Sequence, residues 1–63
     1  MNIVIFFKDG SKNVFVNCKE LNETDDCITF KERTPSDEFG NYFDWNYYTF
    51  YKNNIAGYKY WQY

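Results

Sequence analysis

The chain has 63 residues, of which 44% are apolar, 25% aromatic and 25% charged, and its formal net charge is −2. A chain of this length makes one domain with a thin stability margin, because so small a fold leaves about 40% of its unfolded surface in contact with water. Seven Phe, seven Tyr and two Trp exclude a disordered tail and offset the small core, and the absence of His removes the commonest general base and metal ligand.

Residues 2–8 form an apolar run with Ile3, Ile5 and Phe7 on one face and Val4 and Phe6 on the other. Apolar side chains on both faces predict a central strand. Asp9-Gly10 then marks a hairpin, with a type I′ turn expected because Asp and Gly both tolerate positive φ. Residues 13–18 supply the returning strand, with Val14, Val16 and Cys18 expected on one side and Phe15 on the other. The polar stretch 19–26 predicts a loop, with Asn17 and Glu20 spaced as a capping box for at most one short helical turn.

Residues 27–32 alternate as a half-buried strand, with Ile28 and Phe30 facing inward. Pro35 and Gly40 punctuate a long loop over 33–44. A strand over 45–52 follows, with Tyr48 and Phe50 on one face and Trp45, Tyr47 and Tyr51 on the other. Asn53-Asn54 provides a turn, and residues 55–62 close the chain, with Gly57 expected at a bulge or bend. The sum is a single all-β domain over 1–63: a five-stranded antiparallel meander, curled as a sheet or closed as a barrel of the SH3 or OB type.

The charge is unevenly spread. Residues 20–44 carry Glu20, Glu23, Asp25, Asp26, Glu32, Asp37, Glu38 and Asp44 against Lys31 and Arg33, whereas the segments before and after are each weakly basic. Overall acidity argues against binding driven by phosphate neutralisation over the whole domain. No basic, apolar and small-residue signal pattern opens the sequence and no apolar stretch is long enough for a membrane helix, so a cytoplasmic protein with reduced Cys18 and Cys27 is expected. Two Cys without His neither complete a zinc site nor make an activated nucleophile, and no glycine-rich phosphate loop is present. A non-enzymatic protein that uses no cofactor or metal is expected.

Three constellations bear on binding. Eleven aromatics fall in residues 42–63, on both faces of the strands there. A core of this size takes one face; the other is either an exposed contact surface or lies under the 33–44 segment. The acidic residues of 19–26 and 33–44 form a negative edge for a basic protein if both loops emerge at one end, and otherwise a solvated surface. Lys12, Lys52 and Lys59 with Tyr47, Tyr51, Tyr58 and Tyr60 would suit stacked bases and phosphates.

The phrases Phe-Lys-Asp-Gly-Ser, Cys-Ile-Thr-Phe and Tyr-Thr-Phe-Tyr-Lys-Asn-Asn-Ile-Ala-Gly-Tyr, over 5–10, 27–30 and 48–58, resemble small β-proteins of phages and mobile elements of Gram-positive bacteria. That family includes anti-CRISPR and other anti-defence inhibitors that occupy a nuclease surface. The resemblance implies a protein-binding module in a bacterial host, set against the basic nucleic-acid-binding or PAM-reading face of an RNA-guided nuclease. Glu23, Asp25, Asp26, Asp37, Glu38, Trp45, Tyr47 and Tyr51 are the expected contact residues. The alternatives are a single-strand-binding β-barrel using Tyr47, Tyr51, Tyr58 and Lys52, and a homo-oligomeric structural component joined through its aromatic face.

Overall fold

The computed structural model describes residues 1–62; Tyr63, one of the aromatics counted at the C-terminus, lies outside them. Six strands run in chain order as β1 (Asn2–Phe7), β2 (Lys12–Phe15), β3 (Cys18–Glu23), β4 (Cys27–Pro35), β5 (Phe43–Tyr51) and β6 (Ile55–Trp61), with a single 3₁₀ turn at Lys52–Asn54. They form two antiparallel three-stranded sheets, ordered β2-β1-β6 and β3-β4-β5. The domain is thus all-β, as its composition requires, but it is an open pair of sheets with six strands, where a five-stranded meander or closed barrel was expected.

The additional strand is β3, in the stretch read from its polarity as a loop. Its inward side chains are Cys18, fully buried, and Leu21, packed against the core. At the edge of a sheet two inward side chains suffice, and the solvent face can be polar throughout. Asn17 and Glu20, which are spaced as a capping box, instead both occupy left-handed backbone, at φ 56° and 58°. The first turns the chain out of β2, so that Phe15 and Cys18 both face the core while Val14 and Val16 stay exposed. That breaks the alternation expected through 13–18. The second is an irregularity in the β3–β4 register, between Lys19 and Asn22.

The Asp9-Gly10 hairpin is present, with a different turn. Only Gly10 has positive φ (91°). Gly10 N donates to the Phe7 carbonyl at 3.1 Å, Phe7 N to the Ser11 carbonyl at 2.8 Å, and Asp9 Oδ1 accepts from Ser11 N at 2.9 Å. This is a three-residue loop in which Gly takes the left-handed position, one of the common ways to join a twisted pair.

Strand β4 runs through Pro35, and β5 begins at Phe43, so the predicted long loop shortens to residues 36–42. The core lies between the sheets and is built from Ile3, Ile5, Phe15, Cys18, Ile28, Phe30 and Ile55. Phe15 joins its aromatic cluster, with ring centroids 5.1 Å from Phe30, 4.8 Å from Tyr48 and 5.9 Å from Phe50. Opposite Gly57 the β1–β6 register slips by one residue, which makes Ala56 the bulge that the glycine announced.

Candidate binding face

The outer face of β3-β4-β5 collects the odd-numbered side chains of β5. Phe43, Tyr47 and Tyr51 are exposed there, Tyr47 at 75%, and Trp45 is half-buried among them. The 36–42 connection does not cover this face. Its own Phe39 and Tyr42 are 78% and 70% exposed, and it is held by local contacts in which Asp37 Oδ1 accepts from Asn41 N at 2.8 Å and Ser36 N donates to the Tyr42 carbonyl at 2.9 Å.

Cations stand beside these rings. Lys19 pairs across with Lys31, and Lys31 with Tyr47, so the three side chains form one row across the sheet. Each cation of β4 leans onto the aromatic diagonal to its direct partner. Lys31, opposite Tyr47, places its Nζ 4.4 Å from the Trp45 centroid; Arg33, opposite Trp45, lies 4.5 Å from the Phe43 centroid. Lys19 approaches Trp45 from β3 at 5.9 Å. Lys31 also meets Glu20 at 3.2 Å. A hollow of about 150 Å³ lies between β3 and β5, with Glu20, Thr29, Lys31, Tyr47 and Thr49 among its walls. These contacts follow from the pleat, which brings directly opposite and diagonal side chains on one face within reach.

The expected contact residues divide into three places. Trp45, Tyr47 and Tyr51 share the outer face. Asp25 and Asp26 occupy the β3–β4 turn beside Glu23, whereas Asp37 and Glu38 occupy the β4–β5 connection. Those turns lie at opposite ends of the nine-residue β4, about 30 Å apart at strand spacing. A single acidic edge is therefore not formed.

Glu23 is engaged internally. It pairs with Lys52 at 3.5 Å, and hydrogen bonding with the Tyr58 hydroxyl holds its carboxyl below the usual range while pushing that phenol up to about 12. Tyr58 packs against the core and Lys52 is tied to Glu23, so neither joins Tyr47 and Tyr51 in a stacking surface. Lys59 and Lys12 pair with Val4 and Phe6 on the far side of the other sheet. The cations that do accompany the exposed rings, Lys19, Lys31 and Arg33, sit in the segment whose acids dominate its net charge. Their signal is the alternation of 29, 31 and 33 with inward Ile28 and Phe30.

Both cysteines are free, Cys18 in the core and Cys27 half-buried at the start of β4. Burial, followed by the nearby Glu32 charge, pushes the Cys18 thiol up to about 11. Among the described residues, no group of three His, Cys, Asp or Glu could hold a metal ion, and no helix is long and apolar enough to cross a membrane. Comparison with protein-family models, curated proteins and solved structures finds no match for the chain.

Proposed function

We propose that the chain is a non-enzymatic binding module that holds single-stranded nucleic acid on the outer face of β3-β4-β5. The observation that carries this reading is the interleaving of Lys31 and Arg33 with Phe43, Trp45 and Tyr47 on one sheet face. Bases stack on rings without regard to sequence, and ammonium and guanidinium groups meet the phosphates between them. Rings two residues apart on β5 stand about 7 Å from one another, which gives successive bases separate platforms. Net acidity does not oppose this, because the acids of the two turns flank the face at its ends while its middle is cationic.

An inhibitor of the anti-defence type would set the acidic turns together with Trp45, Tyr47 and Tyr51 against a basic protein. Lys19, Lys31 and Arg33 at the centre of the same face would then oppose like charge, which costs such a complex affinity. The geometry favours the nucleic-acid reading for that reason.

The test is a titration of the protein with a single-stranded oligonucleotide, following Trp45 emission in a Trp61→Phe background at about 50 mM salt. Quenching is expected, with a salt slope of about −2 if three phosphates are met at about −0.7 each. Tyr47→Ala should weaken binding about 5- to 100-fold. Absence of quenching, or binding indifferent to salt, removes the reading.

A further inference from the structure

We infer that β5 is an adhesive edge at which two copies of this chain pair, antiparallel, into one continuous six-stranded sheet. The inference does not depend on what the outer face binds.

Of the four edge strands, three carry devices that prevent further pairing. β2 has only four residues. β3 is broken by the register shift at Glu20 and carries Lys19 on its outer face. β6 carries the bulge at Ala56, Gly57 beside it and Lys59. Short length, bulges and lysines are the usual means by which sheets keep their edges from other chains.

β5 has none of them. It is nine residues long, runs in unbroken register with β4, and contains no Pro, Gly, Lys or Arg. β4 is its sole ladder partner among the described residues, so the backbone groups on its other side have no strand partner among them. Its sequence, Phe-Asp-Trp-Asn-Tyr-Tyr-Thr-Phe-Tyr, has one charge, and β-branched and aromatic residues suited to cross-strand contact.

About its midpoint the strand opposes no like charges to its own copy. A two-fold axis through Tyr47 sets Phe43 against Tyr51, Trp45 against Thr49, and Asp44 against Phe50. The two Asp44 carboxylates then stand about 20 Å apart, so the strand's only charge does not face its own copy. An axis normal to the sheet keeps both outer faces on one side. The row Lys19, Lys31, Tyr47 continues through the second Tyr47 into the second Lys31 and Lys19. The occupant that fits this aromatic edge, with its single charge near one end, is therefore a second β5.

The experiment is sedimentation equilibrium of the full chain from about 10 μM to about 1 mM, the range in which an edge contact of limited area associates, combined with hydrogen exchange of the β5 amides at both ends of the range. The expected result is a mass rising from 7.7 kDa toward twice that value, with β5 amides slowing as it rises. Tyr47→Lys, at an exposed site where folding tolerates it, places two ammonium groups at the axis and should weaken association by up to about five-fold. Thr49→Lys, also exposed, should weaken it without touching the axis. A monomer at every concentration overturns the inference and leaves the edge to a strand of another chain. A dimer whose β5 amides exchange unchanged overturns it as well.

Discussion

The Lys31 ammonium lies 4.4 Å from the centroid of the Trp45 ring and so caps the one indole of the exposed face. The same ammonium meets Glu20 at 3.2 Å. Ring and carboxylate share one cation, and whatever removes the carboxylate hands the cation to an incoming anion.

Glu20→Asn should therefore tighten binding of a single-stranded oligonucleotide. It also relieves the left-handed backbone at φ 58°, which Asn tolerates better than Glu. Lys31→Glu should act in the opposite sense, lowering affinity and cutting the salt slope by about 0.7. Parallel titrations of the two variants check this; equal affinities would separate Lys31 from the phosphates.

Phe15→Ala should be strongly disruptive, since Phe15 is buried and touches Phe30, Tyr48 and Phe50. Truncation of a buried Phe costs about 3–5 kcal/mol, which equals the margin of a domain this small. Loss of near-ultraviolet dichroism at room temperature is the expected outcome. Tyr51→Ala, on the exposed face, should leave that signal in place.

The pairing of Glu23 with Tyr58 makes stability fall at high pH. The Tyr58 phenol moves from 10.0 to about 12 in the fold, so its contribution is complete below pH 10 and is lost as pH rises through about 12. The Cys18 thiol, raised from 9.0 to about 11, adds a loss that begins near pH 9 and ends near 11. Glu23, depressed below 4.5, contributes above that value and loses its contribution as pH falls through its folded-state value. Denaturant midpoints between pH 8 and 12 for Tyr58→Phe and the parent chain check the alkaline limb, which should be flatter in the variant.

Cys27 should react with a thiol reagent at neutral pH well before Cys18. The first is half-buried at a strand end and the second is 2% exposed with a raised pKa. Mass spectrometry after brief labelling should show one addition at Cys27, and Cys18 should follow at the rate of opening.

Asn17→Gly should hold or raise stability, because Gly takes φ 56° without a Cβ penalty. Asn17→Val should cost about 1–2 kcal/mol at the same position. Thermal midpoints of the two variants give the comparison.

A continuous apolar run made β1 legible, apolar alternation β4, and the aromatic-rich stretches on either side of the Asn53-Asn54 turn β5 and β6; Ile28, Phe30, Tyr48 and Phe50 face inward as their spacing requires. β3 was hidden because Lys19, Glu20, Asn22 and Glu23 satisfy a loop pattern equally well, and its pairing with β4 is a tertiary fact. Two aromatic faces and one core left Tyr47 and Tyr51 either exposed or under the 33–44 segment, and the structure leaves them exposed. Their cationic neighbours were not legible, because Lys31 and Arg33 reach Trp45 and Phe43 only through the β4–β5 register. The separation of the acidic turns likewise depends on both being joined to β4, at its two ends.

The two sheets differ in how far apart their strands lie along the chain. β3, β4 and β5 come from one uninterrupted stretch, residues 18–51, in which each strand pairs with the next. The other sheet joins the chain's extremes, down to a pairing of Asn2 with Trp61. Loop-closure entropy makes the local meander the cheaper nucleus and the β1–β6 ladder a late event. The face that carries Trp45 and Tyr47 thus belongs to the half whose strand pairings are local in sequence, while the core beneath it is completed by the chain's two extremes.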